Sequence, residues 1–422
     1  MKESKTFKEG VLWSLASVII LALSGFVLNI LIGTVYDAST LGVFNQVLAT
    51  YVFFSMFAGG GVNLSTLKLI AETADDEERV HEVVVSAVAL TILCSLVVTI
   101  LYWFARLPIS SWLGSAGVRE GMMWIAPGLF FFGINKTLLS VLNGLHQIKA
   151  LSVFQGLRYL NLLVGFFIAL WLHFPGERLA YVFTLSESIL FVALTLYLRR
   201  YWKAPSTSSW KHWMLIHARF ASKAVLSGAL LELNSRIDVL ILGHFCDDEI
   251  TGIYSFAAMV FEGLMQLFFV LQNNYNPHLS RLLHTGEHED LLTAFRNGRR
   301  TAYKYALLLV PIAIFAYPLA ISVVFHTRPE FMASWLPFSI LIGGLLLSSG
   351  YIPFQNILAM GGHPGWHTVF MLITVCSNIV LNWFLVPHLG MIGAALGMAL
   401  SLSFSSVTLV MLTQLRLRIS LI

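Results

Sequence analysis

Charge is scarce in this chain: 11% of its 422 residues are Asp, Glu, Lys or Arg, against 57% hydrophobic and a mean hydropathy of +0.78. Soluble domains carry about 25% charged residues to cover their surface, so a water-soluble globular protein is excluded. Cysteine is scarcer still. The three present, Cys94, Cys246 and Cys376, lie far apart without a CxxC pair or a His cluster, so neither a disulfide framework nor a zinc site is expected. Cys94 and Cys376 sit in apolar runs and read as packing residues. No GxxxxGK[ST] phosphate loop is present, which argues against an ATP-driven device. The external loops are short and hold no Ser/His/Asp grouping, so an enzyme is not expected. The net charge of +4 is small, its placement matters more than its sum, and it gives no reason to expect a nucleic-acid partner.

What fills the chain instead is apolar sequence, in roughly a dozen stretches each long enough to cross a bilayer. A hydrocarbon core of about 30 Å needs about 20 helical residues, and in lipid only a helix or a closed barrel satisfies its own backbone. Runs such as Val83–Phe104 and Tyr305–Phe325 are too continuously apolar for alternating barrel strands. Spans are expected at 11–33, 41–66, 83–104, 120–143, 151–173, 179–198, 217–244, 250–275, 302–325, 332–359, 365–386 and 391–413. The charged start Met1–Gly10 runs into an apolar stretch longer than a signal-peptide core, and reads as an uncleaved first span.

Alternating spans sort the cations. Nineteen Lys and Arg fall on the N-terminal side, four on the other (Arg106, Arg119, Arg178, Arg328), and three within spans, which accounts for all 26. Cation excess in short loops marks the cytoplasmic face, so both termini and the long 199–216 and 276–301 loops are expected inside. The acidic run Ala71–Glu82 reads as a solvated helix end or loop rather than a metal or effector site.

The Pro/Ser-rich stretch Lys203–Trp210 divides the spans six and six. The halves then align. Leu41-Gly-Val-Phe44 matches Thr251-Gly-Ile-Tyr254 at an offset of 210, which also places Asn63 on Asn273. Gly133, Gly144, His146 and Asn161 match Gly350, Gly361, His363 and Asn378 at an offset of 217. Equal orientation of both halves means a parallel repeat about an axis along the membrane normal. The expected fold is therefore an all-α integral membrane protein of about 12 helices in two six-helix lobes, V-shaped around a central cleft. The N-terminal lobe would take 1–203, a cytoplasmic linker 204–216, and the C-terminal lobe 217–422.

These residues give the chain a family likeness. The Lys-bearing start Lys8–Trp13, the Leu41–Phe44 turn, Gly59-Gly-Gly-Val-Asn63 followed by Leu67–Glu72, and Arg236–Gly243 followed by Gly252–Tyr254 resemble the Wzx-type polysaccharide repeat-unit flippases. Those belong to the multidrug/oligosaccharidyl-lipid/polysaccharide exporter superfamily. The resemblance implies movement of a polyprenyl-diphosphate-linked oligosaccharide from the inner to the outer leaflet of a bacterial plasma membrane, in an O-antigen or exopolysaccharide pathway. It also implies no bound cofactor, a proton or sodium gradient as the drive, alternating access, and a polysaccharide polymerase and a chain-length regulator as pathway partners beside membrane lipid.

Ionisable residues within spans cost about 2.5–3.5 kcal/mol each on insertion scales and need a reason. Lys136 and Arg158, toward the basic end of spans four and five, suit a substrate diphosphate; both could equally snorkel to headgroups. Span seven carries Glu232, Asn234, Ser235, Arg236 and Asp238. Glu232 and Arg236, four residues apart, either neutralise each other on one helix face or leave Arg236 for substrate and Glu232 or Asp238 for a coupling ion. Glu262, with only Gln266 within a turn, reads as an isolated mid-membrane carboxyl suited to binding and releasing a proton, or as a permanently protonated one; Glu187 invites the same pair of readings. In Gln272–Pro277, the amides of Asn273 and Asn274 could bind sugar hydroxyls, or the cluster could join helices. Gly343, Gly344, Gly350 and Pro353, and Pro127, Gly128 and Gly133 in span four, read as bend points, and Gly393–Gly397 as a GxxxG packing contact.

Two rivals remain. A cation-coupled drug antiporter of the same superfamily would resemble this chain in fold, but its expected acidic residue in the first span is missing, since Val11–Leu31 holds only Ser and Asn as polar groups. A membrane-embedded polysaccharide polymerase or ligase would need a large external loop, and the external loops here are short.

Overall fold

The computed structural model describes residues 13, 20, 23–202 and 210–419, with the side chains of 223–229, 231 and 288 set aside. The Lys8–Leu12 start and the linker residues 203–209 lie outside the described residues. Among the described residues the regular structure is entirely helical.

Helix α1 covers Leu23–Val35. It is followed by α2 (Ala38–Ala58), α3 (Val62–Thr73), α4 (Glu77–Leu113), α5 (Ala116–Gly144), α6 (Ile148–Trp171) and α7 (Tyr181–Tyr197). The remainder is α8 (Trp210–Asn234), α9 (Ile237–Phe245), α10 (Asp248–Thr285), α11 (His288–Val324), α12 (Trp335–Ser348), α13 (Ile357–Met360) and α14 (Pro364–Leu417). Nine of the described helices are long and apolar enough to cross a membrane. The last is two spans in one: Gly390, with φ 54° and ψ −133°, folds α14 back between the expected eleventh and twelfth spans. Only glycine takes that conformation without strain. After the fold, Gly393 lies against the Leu385 backbone and Gly397 against the Asn382 side chain, so the GxxxG pair is where the two halves of α14 touch.

Local chemistry explains the tight connections. Gly114 ends α4 in the left-handed region and Ser115 caps α5 by accepting from the Val118 amide at 3.2 Å. Asp247 likewise accepts from the Ile250 amide at 2.8 Å to start α10. Asp76 caps α4, and Glu77 and Glu78 follow in its first turn, where carboxylates complement the helix dipole. The acidic run is thus an exposed helix start.

Two expectations need correction. The second span does not run to 66, because α2 stops at Ala58 and Gly60 and Gly61 turn the chain through left-handed conformations (φ 54° and 72°) before α3. Span seven is two helices, α8 and α9, separated at Ser235 and Arg236. In span four, α5 runs unbroken through Pro127, Gly128 and Gly133. The glycines admit neighbours: a Cβ on Gly128 would lie 2.9 Å from the Thr184 backbone, and one on Gly133 2.2 Å from Ser95 Oγ and 2.8 Å from the Ala58 carbonyl. Span ten does break, passing from α12 through a 3₁₀ turn at Ile352–Phe354 into α13.

The chain forms two compact units. The first holds Val43–Glu232; the second begins at Leu233 and takes in the short segment Ile32–Gly42. The boundary between the units therefore lies in the last turn of α8, later than the linker marked by composition. The first unit buries Val84, Leu138, Leu142, Leu190 and Leu194 around one centre and Val47, Tyr102, Met122 and Leu129 around another. Against it α8 packs Ala218 and Ala221 on Val62, Ala87 and Leu90. The second unit centres on Leu279, Phe295, Phe354, Phe370 and Leu409.

The repeat is visible in one reciprocal contact of the second unit. A Cβ on Gly42 would lie 1.8 Å from the Asp248 carbonyl oxygen, and one on Gly252 1.8 Å from that of Ala38. Both partners are themselves 210 residues apart. The Gly42/Gly252 match is therefore a symmetric backbone crossing, which any side chain would obstruct.

Candidate functional site

In the first unit, α5, α6 and α7 bring charged groups together. Arg158 Nε lies 2.8 Å from Glu187 Oε1, and Nη2 donates to Oε2 at 3.2 Å. Their side chains are 14% and 3% exposed. Asn135 Nδ2 donates to both the backbone oxygen and Oε2 of Glu187, at 2.8 Å each. Such a pair persists out of water only because its geometry and added hydrogen bonds offset desolvation. Arg158 therefore already has its counter-ion, and neither it nor Glu187 is a lone intramembrane charge.

One residue past Asn135, Lys136 is different. Its ammonium is half-buried, 3.9 Å from the Met56 sulfur and 5.8 Å from the Phe132 ring centroid. Among the described residues no carboxylate pairs with it, although Glu232 contributes to its electrostatic surroundings. The same Phe132 ring lies 5.1 Å from the Arg158 guanidinium. The two cations predicted from the sequence thus meet at one aromatic ring, one neutralised and one not.

The second unit corrects the expected pairing on span seven. The helix break at Ser235 and Arg236 removes the i,i+4 relation between Glu232 and Arg236. Arg236 Nη2 instead lies 3.1 Å from Glu262 Oε2, with side chains 25% and 31% exposed. Glu262 is accordingly not isolated on α10. Asp238 is buried and accepts from Tyr254 Oη at 2.5 Å and from the Val239 amide at 2.9 Å. Beside it runs an amide ladder: Asn378 Nδ2 donates to Asn234 Oδ1 at 3.2 Å, and Asn382 Nδ2 donates to Asn378 Oδ1 at 2.7 Å. Asn273 and Asn274 are exposed, whereas Gln272 is buried and donates to the Ile352 carbonyl at 3.0 Å, tying α10 to the broken tenth span.

Three participants went unnoticed in the sequence. Asn135 could have been found from its position beside Lys136 in an apolar span, and Asn382 from its i,i+4 spacing to Asn378. Tyr254 gave no signal beyond its repeat position.

The family of polysaccharide biosynthesis proteins matches residues 7–282, well over half of the chain. The protein belongs to that family. This polysaccharide biosynthesis protein is 23% identical over 413 residues to an uncharacterized membrane protein of Methanocaldococcus jannaschii, covering 92% of this chain and 80% of the other. It is similar in fold to a multidrug resistance MATE family transporter of the MOP superfamily solved in an inward-facing conformation, with a TM-score of 0.79, 14% identity and 94% of each chain covered. The lipid II flippase MurJ in an inward closed conformation superposes with a TM-score of 0.76 at 14% identity, over 95% of this chain and 87% of that one. The chain is thus a multi-pass membrane protein that shares its fold with these transporters.

Proposed function

We propose that this polysaccharide biosynthesis protein is a flippase that moves a polyprenyl-diphosphate-linked oligosaccharide repeat unit from the inner to the outer leaflet of a bacterial plasma membrane, both its termini being cytoplasmic. The observation that carries the proposal is Lys136: a half-buried ammonium in an apolar helix with no carboxylate partner among the described residues. A substrate diphosphate would supply the missing charge through charge-assisted hydrogen bonds. Arg236 is the second cation of the reading, held ready by Glu262, and Asn273 and Asn274 are the exposed amides available to sugar hydroxyls. Arg158 has a structural part, orienting α6 on α7 through Glu187. A proton or sodium gradient drives the cycle, with Glu262, Glu232 and Asp238 as the carboxylates that can respond to it. A polymerase and a chain-length regulator would act on the product after translocation.

Deleting the gene in its bacterial host tests this. Lipid-diphosphate oligosaccharide should accumulate on the cytoplasmic side while surface polysaccharide disappears, and the intact chain should restore it. Normal polysaccharide in the deletion strain, with new sensitivity to cationic drugs, would replace the flippase reading with the antiporter one.

A further inference from the structure

At the Lys/Arg-rich end of the first unit, a groove of about 920 Å³ opens where α5 hands over to α6 and α7 ends. Lys149, Arg200 and His146 line it, with Trp13, Phe154 and Tyr197 as its aromatic walls. No Asp or Glu lines it among the described residues. Lys149 Nζ stands 5.3 Å from the Trp13 ring centroid, and the Arg200 guanidinium 4.7 Å from that of Tyr201. Both cations are exposed and neither is in an ion pair among the described residues.

The internal repeat supplies a control within the same chain. At the offset of 217 the second unit carries different residues at the cationic positions. There Trp366 stands at the position of Lys149 and Leu417 at that of Arg200. Arg416 lies 3.6 Å from the Trp366 ring centroid, covering it. The two cations of the groove therefore have no counterpart at the matching positions of the second unit. Two like charges lining one groove repel, and an anion bound there relieves the repulsion.

The surroundings point to the source of that anion. On α6, Val153, Leu160, Val164 and Phe167 are 45–56% exposed. Ile189, Val192 and Leu196 on α7 are likewise exposed. Both apolar stripes lead along the helices into the groove, as acyl chains would run in the bilayer. Basic pockets between helices at the cytoplasmic surface hold anionic headgroups in this way.

We propose that this groove is a binding site for the phosphodiester headgroup of an anionic membrane phospholipid, with Lys149 and Arg200 as its two phosphate contacts and the α6 and α7 stripes carrying the acyl chains. The site is separate from Lys136 and does not depend on what the protein transports.

The test uses the full chain in nanodiscs of phosphatidylglycerol mixed with phosphatidylcholine, with retained lipid counted by native mass spectrometry after transfer to detergent. Wild-type protein should retain phosphatidylglycerol preferentially. The double variant K149Q/R200Q should lose roughly 30-fold in that preference, about fivefold for each cation, while R416Q changes nothing. Equal retention of both lipids by the wild type, or an undiminished preference in the double variant, would overturn the proposal. A K149R/R200K variant guards against misfolding, since it should keep the preference; if it loses it while remaining folded, simple charge recognition is wrong. Displacement of phosphatidylglycerol by millimolar inorganic phosphate would make the site a free-phosphate pocket, and displacement by short-chain polyprenyl diphosphate but not by added phosphatidylglycerol would assign it to the transport substrate.

Discussion

Removing the Glu187 carboxylate while leaving Arg158 in place should be among the most damaging single changes to the first unit. The guanidinium is 14% exposed, its counter-ion 3%, and Asn135 spends its amide hydrogens on Glu187. Breaking one side of such a buried pair costs about 3–5 kcal/mol, because the remaining charge has no compensation. The first unit is of the size for which each kcal/mol moves Tm by about 2–4 °C, so Glu187→Ala should lower the melting temperature in detergent by about 6–20 °C. The informative experiment is the cycle. Replacing both partners with apolar residues, as in R158M/E187L, removes the charge and its desolvation cost together and should recover most of the lost stability. Transport by the double variant separates two roles. If Arg158 is structural, as its pairing indicates, surface polysaccharide should persist in R158M/E187L. A Glu187→Ala protein as stable as wild type would refute the energetic argument, and a stable but inactive double variant would return Arg158 to the substrate site.

Three further outcomes follow from other parts of the molecule. Lys136→Ala should abolish surface polysaccharide without removing the protein from the membrane, because Lys136 is in no ion pair among the described residues; normal polysaccharide levels would reject diphosphate binding there. Glu262→Gln should flatten the pH dependence of transport in vesicles and leave Arg236 without its partner, and a profile identical to wild type would exclude Glu262 from coupling. Gly42→Ala and Gly252→Ala should each destabilise the protein by at least about 1–3 kcal/mol through overpacking, since each new Cβ would fall 1.8 Å from a carbonyl oxygen; thermal melts matching wild type would show that the crossing can open.

Much of this architecture was legible in one dimension because a bilayer imposes a length. Twelve runs near 20 apolar residues could hardly be anything but helices, and parity of the span count sorted the cations without any knowledge of contacts. The repeat was legible for a related reason: glycines such as Gly42 and Gly252 persist where two backbones meet, so their spacing preserves the symmetry. Composition was a poorer guide to where the units part. The linker near Lys203 is the polar stretch, yet α8 beyond it packs on the first unit through Ala218 and Ala221.

The candidate site followed a different logic. Sequence distance identified which groups are ionisable within the membrane, and it assigned partners along one helix because no other neighbour was known. That placed Arg236 with Glu232 and left Glu262 alone. A two-residue break in span seven and the approach of α10 reversed both assignments. In the same way Arg158 and Lys136 were equivalent cations until α7 delivered Glu187 to only one of them. Hydrophobic length is a property of consecutive residues, so the chain alone was enough for the membrane class and the helical make-up. Charge compensation is a property of groups within a few ångströms of each other, and only the packing of separate helices decided which charges are neutralised and which stand open to a ligand.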